Sequence, residues 1–268
     1  MLRLADPADI PEILRFYRSL SQDSLLMRFF QATPDDPSLA RAAQFDPASS
    51  AVVVAVVPVA GGERVVAEAR YEQGDDQQYE FGLAVLDDHH RRGLGSRLLE
   101  TLREVARDRG VERLRALVRT DNRPMLAMLL MTGCAIVEPT AGGEVTVEVS
   151  TRPGMPGWPA DHRRPRVVVE ARTWWPTAEV AALRRAGYEV RQCQGPSIQT
   201  GRPCPLLAAG ECRLVAEADV VACLLPDSDA DCVAVAETHG RQRPGRFTRR
   251  SGDDVVAGVQ DLLAANPH

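Results

Sequence analysis

The sequence contains no lysine: all 32 of its basic residues are arginine. Compositional drift in a GC-biased genome accounts for this, and these 268 residues therefore offer no ε-amine of their own for modification. Also missing is any apolar run near the ~20 residues that span a bilayer, so no membrane partner is expected. The start, Met1-Leu2-Arg3-Leu4-Ala5-Asp6, lacks the long apolar stretch of a secretory signal, which points to a cytoplasmic location. The six cysteines are too few and too irregular for a disulfide scaffold, and five follow residue 190. In a reducing compartment they are expected as thiols. No Cys-x-x-Cys pair is present, so no zinc or other metal is expected. The net charge of −5 divides into −6 for residues 1–150 and +1 for 151–268, so neither part has the basic excess of a nucleic-acid binder. The sequence does not fix an oligomeric state.

What is present is ordinary for a globular protein: 44% hydrophobic and 26% charged residues, in a length that suits one large or two ordinary domains. Leu2–Leu4 reads as a strand. Ile10, Ile13, Leu14 and Tyr17 keep helical spacing behind the cap-forming Asp6, and Ser21–Arg28 reads as a second helix with Leu25, Leu26, Phe29 and Phe30 packing inward. Ala51–Val59 and Arg64–Tyr71 flank Gly61-Gly62 as a hairpin. The next strand, Tyr79–Leu86, alternates Tyr79, Phe81, Leu83 and Val85 against Glu80, Gly82 and Ala84, which predicts a second face that is small and open. A helix over Leu94–Asp108, a strand over Arg113–Val118, a helix over Met125–Met131 and a closing hairpin of Cys134–Glu138 with Val145–Val149 complete an α+β domain over residues 1–150.

Residues 151–165 hold four prolines and two glycines without periodicity, the composition of a linker. Beyond it, Arg166–Glu170, Thr177–Ala186 and Tyr188–Cys193 read as β-α-β and imply a parallel pair. Ala218–Leu225 adds a strand and Asp253–Ala264 a helix, so residues 166–268 read as a small three-layer α/β domain. Gln194–Ala208 and Asp227–Arg250 read as long loops. Cys193, Cys204, Cys212, Cys223 and Cys232 read as buried thiols. Trp174-Trp175 caps a pocket or fills a seam. No family is identified for this part.

The feature richest in chemistry is the passage from the strand at Glu80 through Asp87-Asp88-His89-His90-Arg91-Arg92 into the helix that starts at Leu94. A glycine-bearing turn that opens a helix gathers backbone N–H groups and the positive helix end at one point, where a phosphate can sit. His89 and His90 have no third ligand or nucleophile at motif spacing, which argues against a metal or triad.

His90-Arg91-Arg92-Gly93-Leu94-Gly95 resembles the Gln/Arg-x-x-Gly-x-Gly acyl-CoA loop of the GNAT N-acetyltransferase superfamily, and the element order of residues 1–150 agrees. The resemblance is closest to the Pat-type bacterial protein lysine acetyltransferases, on Leu20–Phe30, on Tyr79-Glu80 running to the loop, and on Asp121-Asn122-Arg123-Pro124-Met125 running to Gly133. It implies a GNAT fold, with a mixed, mostly antiparallel sheet flanked by helices. It further implies acetyl-CoA as acyl donor, held by His90, Arg91, Arg92, Gly93, Leu94, Gly95 and Ser96 at the pyrophosphate and by Leu83, Ala84, Val85 and Asn122 along the pantetheine arm. Glu80 matches the family's general base, and the acceptor it implies is an amine, protein lysine first and a small molecule second. Three positions depart from the family pattern: His90 stands for Gln or Arg, Cys134 for an aromatic, and Leu129 for the tyrosine that serves as general acid. The competing reading is a non-catalytic acyl-CoA sensor that signals through its C-terminal domain.

Overall fold

The computed structural model describes residues 1–74, 76–139, 142–160, 163–174, 177–196, 204, 207–208, 210–249, 251–252 and 254–266. The chain divides into two compact units, Met1–Ala116 and Leu117–His268.

In the first unit β1 (Leu2–Leu4), β2 (Ser50–Val59), β3 (Gly62–Gln73), β4 (Tyr79–Val85) and β5 (Arg113–Arg119) lie in that order across the sheet. β1 to β4 are antiparallel and β5 runs parallel to β4. Three helices precede β2: α1 (Ile10–Arg18), α2 (Gln22–Phe29) and α3 (Asp36–Ala43). α4 (Leu94–Asp108) follows β4. Alternation along β3 sorts the layers. Glu68 and Arg70 point toward Tyr17 of α1, whereas Tyr71 points the other way, to Arg109 just after α4. Apolar burial follows the helical stripes, with Ile13, Phe16 and Tyr17 on α1 and Leu98, Leu99, Leu102 and Ala106 on α4. Each large apolar side chain among them contributes about 1.5–3 kcal/mol when fully buried.

α3 was not expected: no element is read from the sequence between Arg28 and Ala51. Asp35 caps it through a bond from Ser38 N, and Leu39 and Ala43 pack inward one turn apart. Two apolar residues are too short a stripe to stand out in sequence.

The second unit contains α5 (Arg123–Thr132), β6 (Cys134–Pro139), β7 (Glu144–Ser150), β8 (Arg166–Glu170), α6 (Ala178–Arg185), β9 (Glu189–Cys193), α7 (Arg213–Ala216), β10 (Val220–Cys223), α8 (Ala230–Gln242), β11 (Phe247–Thr248) and α9 (Asp254–Ala265). Its strands run in the order β7-β6-β9-β8-β10-β11. β8, β9, β10 and β11 are mutually parallel, as the β-α-β reading requires, while β6 meets β9 antiparallel at Ile136↔Gln192. Val167, Val169, Val220 and Ala222 face Val180, Leu183, Val255 and Val259, and Val168 and Val221 face Trp158, Leu214, Val235 and Ala236. Helices thus cover both faces of the parallel strands. α8 and β11 fall where a long loop was expected; Asp229 caps α8, and Cys232, Val235, Ala236 and His239 form its buried stripe.

The stretch with linker composition is packed. Met155 and Trp158 are buried, the Trp158 indole N–H donates to Leu214 O at 2.8 Å and its backbone N–H to Glu217 Oε2 at 2.8 Å. Among the described residues no helix is long and apolar enough to cross a membrane.

Candidate functional site

β4 pairs with β3 along its whole length, from Gln73↔Tyr79 to Ala67↔Val85, but with β5 only at Glu80↔Arg115. Among the described residues no ladder continues past Glu80 on that edge of β4, at Leu83, Ala84 and Val85. Ala84 is buried and Leu83 and Val85 are half-buried. A strand edge left open inside a sheet offers N–H and C=O groups to an extended, amide-containing ligand.

From Val85 the chain turns through Asp87–His89, where the His90 N–H donates to Asp87 O at 3.1 Å and His90 Nε2 lies 2.9 Å from Val85 O. Arg91 adopts φ 58° and Gly93 φ 75°. The left-handed state is strained for arginine and free for glycine, and such strain collects at functional loops. Gly93 is the N-cap of α4 and offers no side chain to cap it. Among the described residues none accepts a hydrogen bond from the backbone N–H groups of Arg91 to Ser96, and the first α4 bond is Arg97 N to Gly93 O. Six successive donors without an acceptor thus lie at the positive end of a 15-residue helix, an arrangement that favours negative charge. A Cβ at Gly93 would meet nothing within 4 Å, so the loop is open there. The Arg91 and Arg92 side chains are exposed.

Glu80 is exposed, on the same face of β4 as Gly82 and opposite Glu72 of β3. That face is not open as expected. Arg28 of α2 lies on Gly82, so close that a Cβ there would sit 2.6 Å from Arg28 Nη1. Next to it, Arg70 is bound to Glu68, to Gln44 O at 2.9 Å and to Glu72 at 3.1 Å. Tyr17, fully buried, completes the cluster; burial, then the Glu68 charge, pushes its hydroxyl well above the usual range. Sequence reasoning missed these groups, although Glu68 and Arg70 carried a signal as opposite charges two apart inside an apolar strand.

An open-edged strand that leads through a left-handed glycine turn into a bare helix start agrees with a match at the level of sequence families: residues 15–133 fit the acetyltransferase (GNAT) family. They form a GNAT acetyltransferase domain. Among solved structures, the chain is similar to the GNAT domain of S. lividans PAT, at 26% identity over 56% of this chain and 89% of that one, TM-score 0.49. It is also similar to a cAMP-binding acyltransferase from Mycobacterium smegmatis, at 29% identity over 57% of this chain, TM-score 0.39, and spans only 43% of that protein. A third is yncA, a putative acetyltransferase from Salmonella typhimurium with its cofactor acetyl-CoA, at 18% identity over 60% of this chain and 98% of that one, TM-score 0.46.

Within the GNAT domain the loop is tied to α2 by Asp87. Its carboxylate accepts from Ser21 Oγ at 2.7 Å, Ser24 Oγ at 3.0 Å and Ser21 N at 3.2 Å. Burial raises the Asp87 pKa, but the bonds from Ser21 and Ser24 outweigh it and leave the carboxyl below its ordinary value. A depressed folded pKa means the tie is intact above the ordinary Asp range and is lost only as pH falls through the lower, folded value. Asp87→Asn is expected to speed amide exchange in α2 at neutral pH several-fold, since a charge-assisted acceptor becomes a neutral one. Unchanged exchange at Ser24 and Leu25 would show that the tie does not hold α2.

Two expected positions fall in the second unit. Asn122 caps α5, its Oδ1 accepting from Met125 N at 3.2 Å. Leu129 is fully buried in α5. None of the six cysteines is in a disulfide, and all are buried except the half-buried Cys193. Burial pushes Cys212 up to about 11 and Cys223 to about 12, so these are inert thiols at neutral pH. Among the described residues no group of His, Cys, Asp and Glu is placed to hold a metal. Trp175 lies outside the described residues, as do Pro205, Leu206 and Ala209 of the 204–212 segment and Asp253 of the last predicted helix.

Proposed function

We propose that residues 1–150 catalyse direct transfer of an acetyl group from acetyl-CoA to an amine, with protein lysine the preferred acceptor and a small-molecule amine the second choice. The observation that carries this reading is the run of acceptor-free N–H groups from Arg91 to Ser96 at the end of a strand whose outer edge is open. In it, Arg91, Arg92, Gly93, Leu94, Gly95 and Ser96 hold the pyrophosphate, His90 shapes the turn through Val85 O, and the edge at Leu83, Ala84 and Val85 takes the pantetheine arm, with Asn122 assigned to the same arm by resemblance. The space beside Gly93 is free of other atoms, which leaves a phosphate access to the N–H groups around it.

Glu80 removes a proton from the acceptor ammonium, whose ordinary pKa is near 10.4 for a lysine side chain. The neutral nitrogen bonds to the thioester carbonyl carbon, the C–S bond breaks, the sulfur leaves with the electron pair as thiolate, and the nitrogen gives up its second proton to water or to that sulfur. Leu129, at the position where the family pattern has a tyrosine, is apolar, so the thiolate leaves as such or takes a proton from water. These 268 residues hold no lysine, so an acetylated lysine belongs to another chain. Residues 166–268, after the stretch 151–165, are assigned to regulation or substrate presentation in the cytoplasm.

The test is thiol release. Purified protein incubated with acetyl-CoA and either lysine-containing proteins or a panel of small amines is expected to liberate CoA with an acceptor present and not without one. Binding of acetyl-CoA by calorimetry, with no acceptor turned over, would replace the transferase with the acyl-CoA sensor, the reading that the missing tyrosine favours.

A further inference from the structure

Arg28 carries a largely buried charge that is held by no hydrogen bond among the described residues. Its side chain is 16% exposed, yet among the described residues no oxygen lies within hydrogen-bond distance of the guanidinium, and its Nε is fully buried without a partner. The nearest carboxylate, Glu68, has Oε1 committed to Arg70 and leaves Oε2 3.9 Å from Arg28 Nη2, an electrostatic contact without a bond. The Phe29 ring, 5.0 Å from the guanidinium carbon, orients the fork without satisfying a donor.

Arg70 and Arg191 are more deeply buried and hydrogen-bond to protein oxygens, although among the described residues Arg70 Nη2 is also left without a partner. Arg70 reaches two carboxylates and a carbonyl, and Arg191 reaches Glu148 and Gly157 O. Each of these two guanidiniums has at least one carboxylate and one carbonyl bonded to it, which offsets the cost of burying the charge. The unmet fork of Arg28 lies on Gly82 instead, and only glycine leaves it room: a Cβ would come within 2.7 Å of its central carbon. Gly82 shares its face of β4 with Glu80, two residues and roughly 6–7 Å away along the strand. A cation and an anion thus stand side by side on one face of β4.

We propose that Arg28 receives a carboxylate of the acceptor, so that this acetyl transfer prefers amines that bear a carboxylate a few bonds from the nitrogen. The proposal rests on the reading that Glu80 meets the acceptor amine. The guanidinium fork matches a carboxylate in a bidentate way that no neutral amide reproduces, and the spacing between Glu80 and Gly82 sets amine and carboxylate a short chain apart. Two sources supply this chemistry: a small amino acid, or a lysine followed by an acidic residue in a peptide.

Matched pairs separate them. CoA release is measured with β-alanine and γ-aminobutyrate against their primary amides, and with capped Lys-Asp against capped Lys-Asn dipeptides. In the wild type the carboxylate member of at least one pair is expected to lead in kcat/KM by roughly tenfold or more, mainly through KM. The pair that shows the preference names the source. Arg28→Gln is expected to bring the ratio near one, and Arg28→Lys, which keeps the charge and loses the fork, to retain part of it. A ratio of one in every wild-type pair overturns the proposal, as does a preference that survives both substitutions. Binding of the N-acetylated carboxylates and amides, followed by calorimetry, needs no turnover. Carboxylate-selective binding that depends on Arg28 in a protein that releases no CoA keeps Arg28 as a carboxylate-binding residue and sinks the transferase reading; CoA release that is equal for both members keeps the transferase and overturns the role of Arg28.

Discussion

Replacement of Arg191 by methionine is expected to destabilise the protein by about 3–5 kcal/mol, read from urea unfolding, the cost of stranding one partner of a buried ion pair. Glu148 is completely buried in β7, and Arg191 of β9 donates to its Oε1 at 2.6 Å, to Gly157 O at 2.8 Å and lies over the Trp158 ring at 5.1 Å. One guanidinium therefore joins β9, β7 and the segment with linker composition, and without it a carboxylate is left in the core away from water. The double replacement Glu148→Leu with Arg191→Met is expected to recover most of the loss, because two apolar groups of similar volume remove the desolvation penalty together. A double variant as unstable as the sum of the two singles would show that the two charges are not coupled.

The same segment shows why some of the fold was legible in the sequence and some was not. The strand, turn and helix from Tyr79 to Asp108 were legible because each signal is local: alternation in β4, glycine at a left-handed N-cap, a helical stripe from Leu98 to Ala106. Residues 151–165 misled on flexibility, because proline and glycine report on local backbone freedom and are silent about a tryptophan held by Leu214 and Glu217, more than fifty residues later. α8 was hidden by weak hydrophobes: Cys232, Ala236 and His239 complete its buried stripe around Val235. The face of β4 is the most instructive case. Glycine and alanine beside Glu80 were read as space, and they are space, but the occupant is an arginine from α2, more than fifty residues earlier in the sequence. A small residue marks that something approaches the backbone closely; the identity of what approaches is long-range information.

Replacement of Glu80 by glutamine is expected to lower kcat at pH 7 by at least about tenfold with little change in acetyl-CoA affinity. In the proposed reading the donor is held by the acceptor-free backbone N–H groups from Arg91 to Ser96, and a side chain at the far end of β4 takes no part in it, so donor binding should survive the change. Transfer should not. At pH 7 an amine with a pKa near 10.4 is almost wholly protonated, and glutamine, equal in size to glutamate, cannot accept its proton. The loss should therefore shrink as pH rises toward 9 and solution supplies more of the neutral amine, so that the variant approaches the wild type on the alkaline side. Turnover equal to the wild type across pH 7 to 9 would remove Glu80 from the reaction. A loss that is constant across that range would assign Glu80 to acceptor binding, since a base is bypassed by alkali and a binding charge is not.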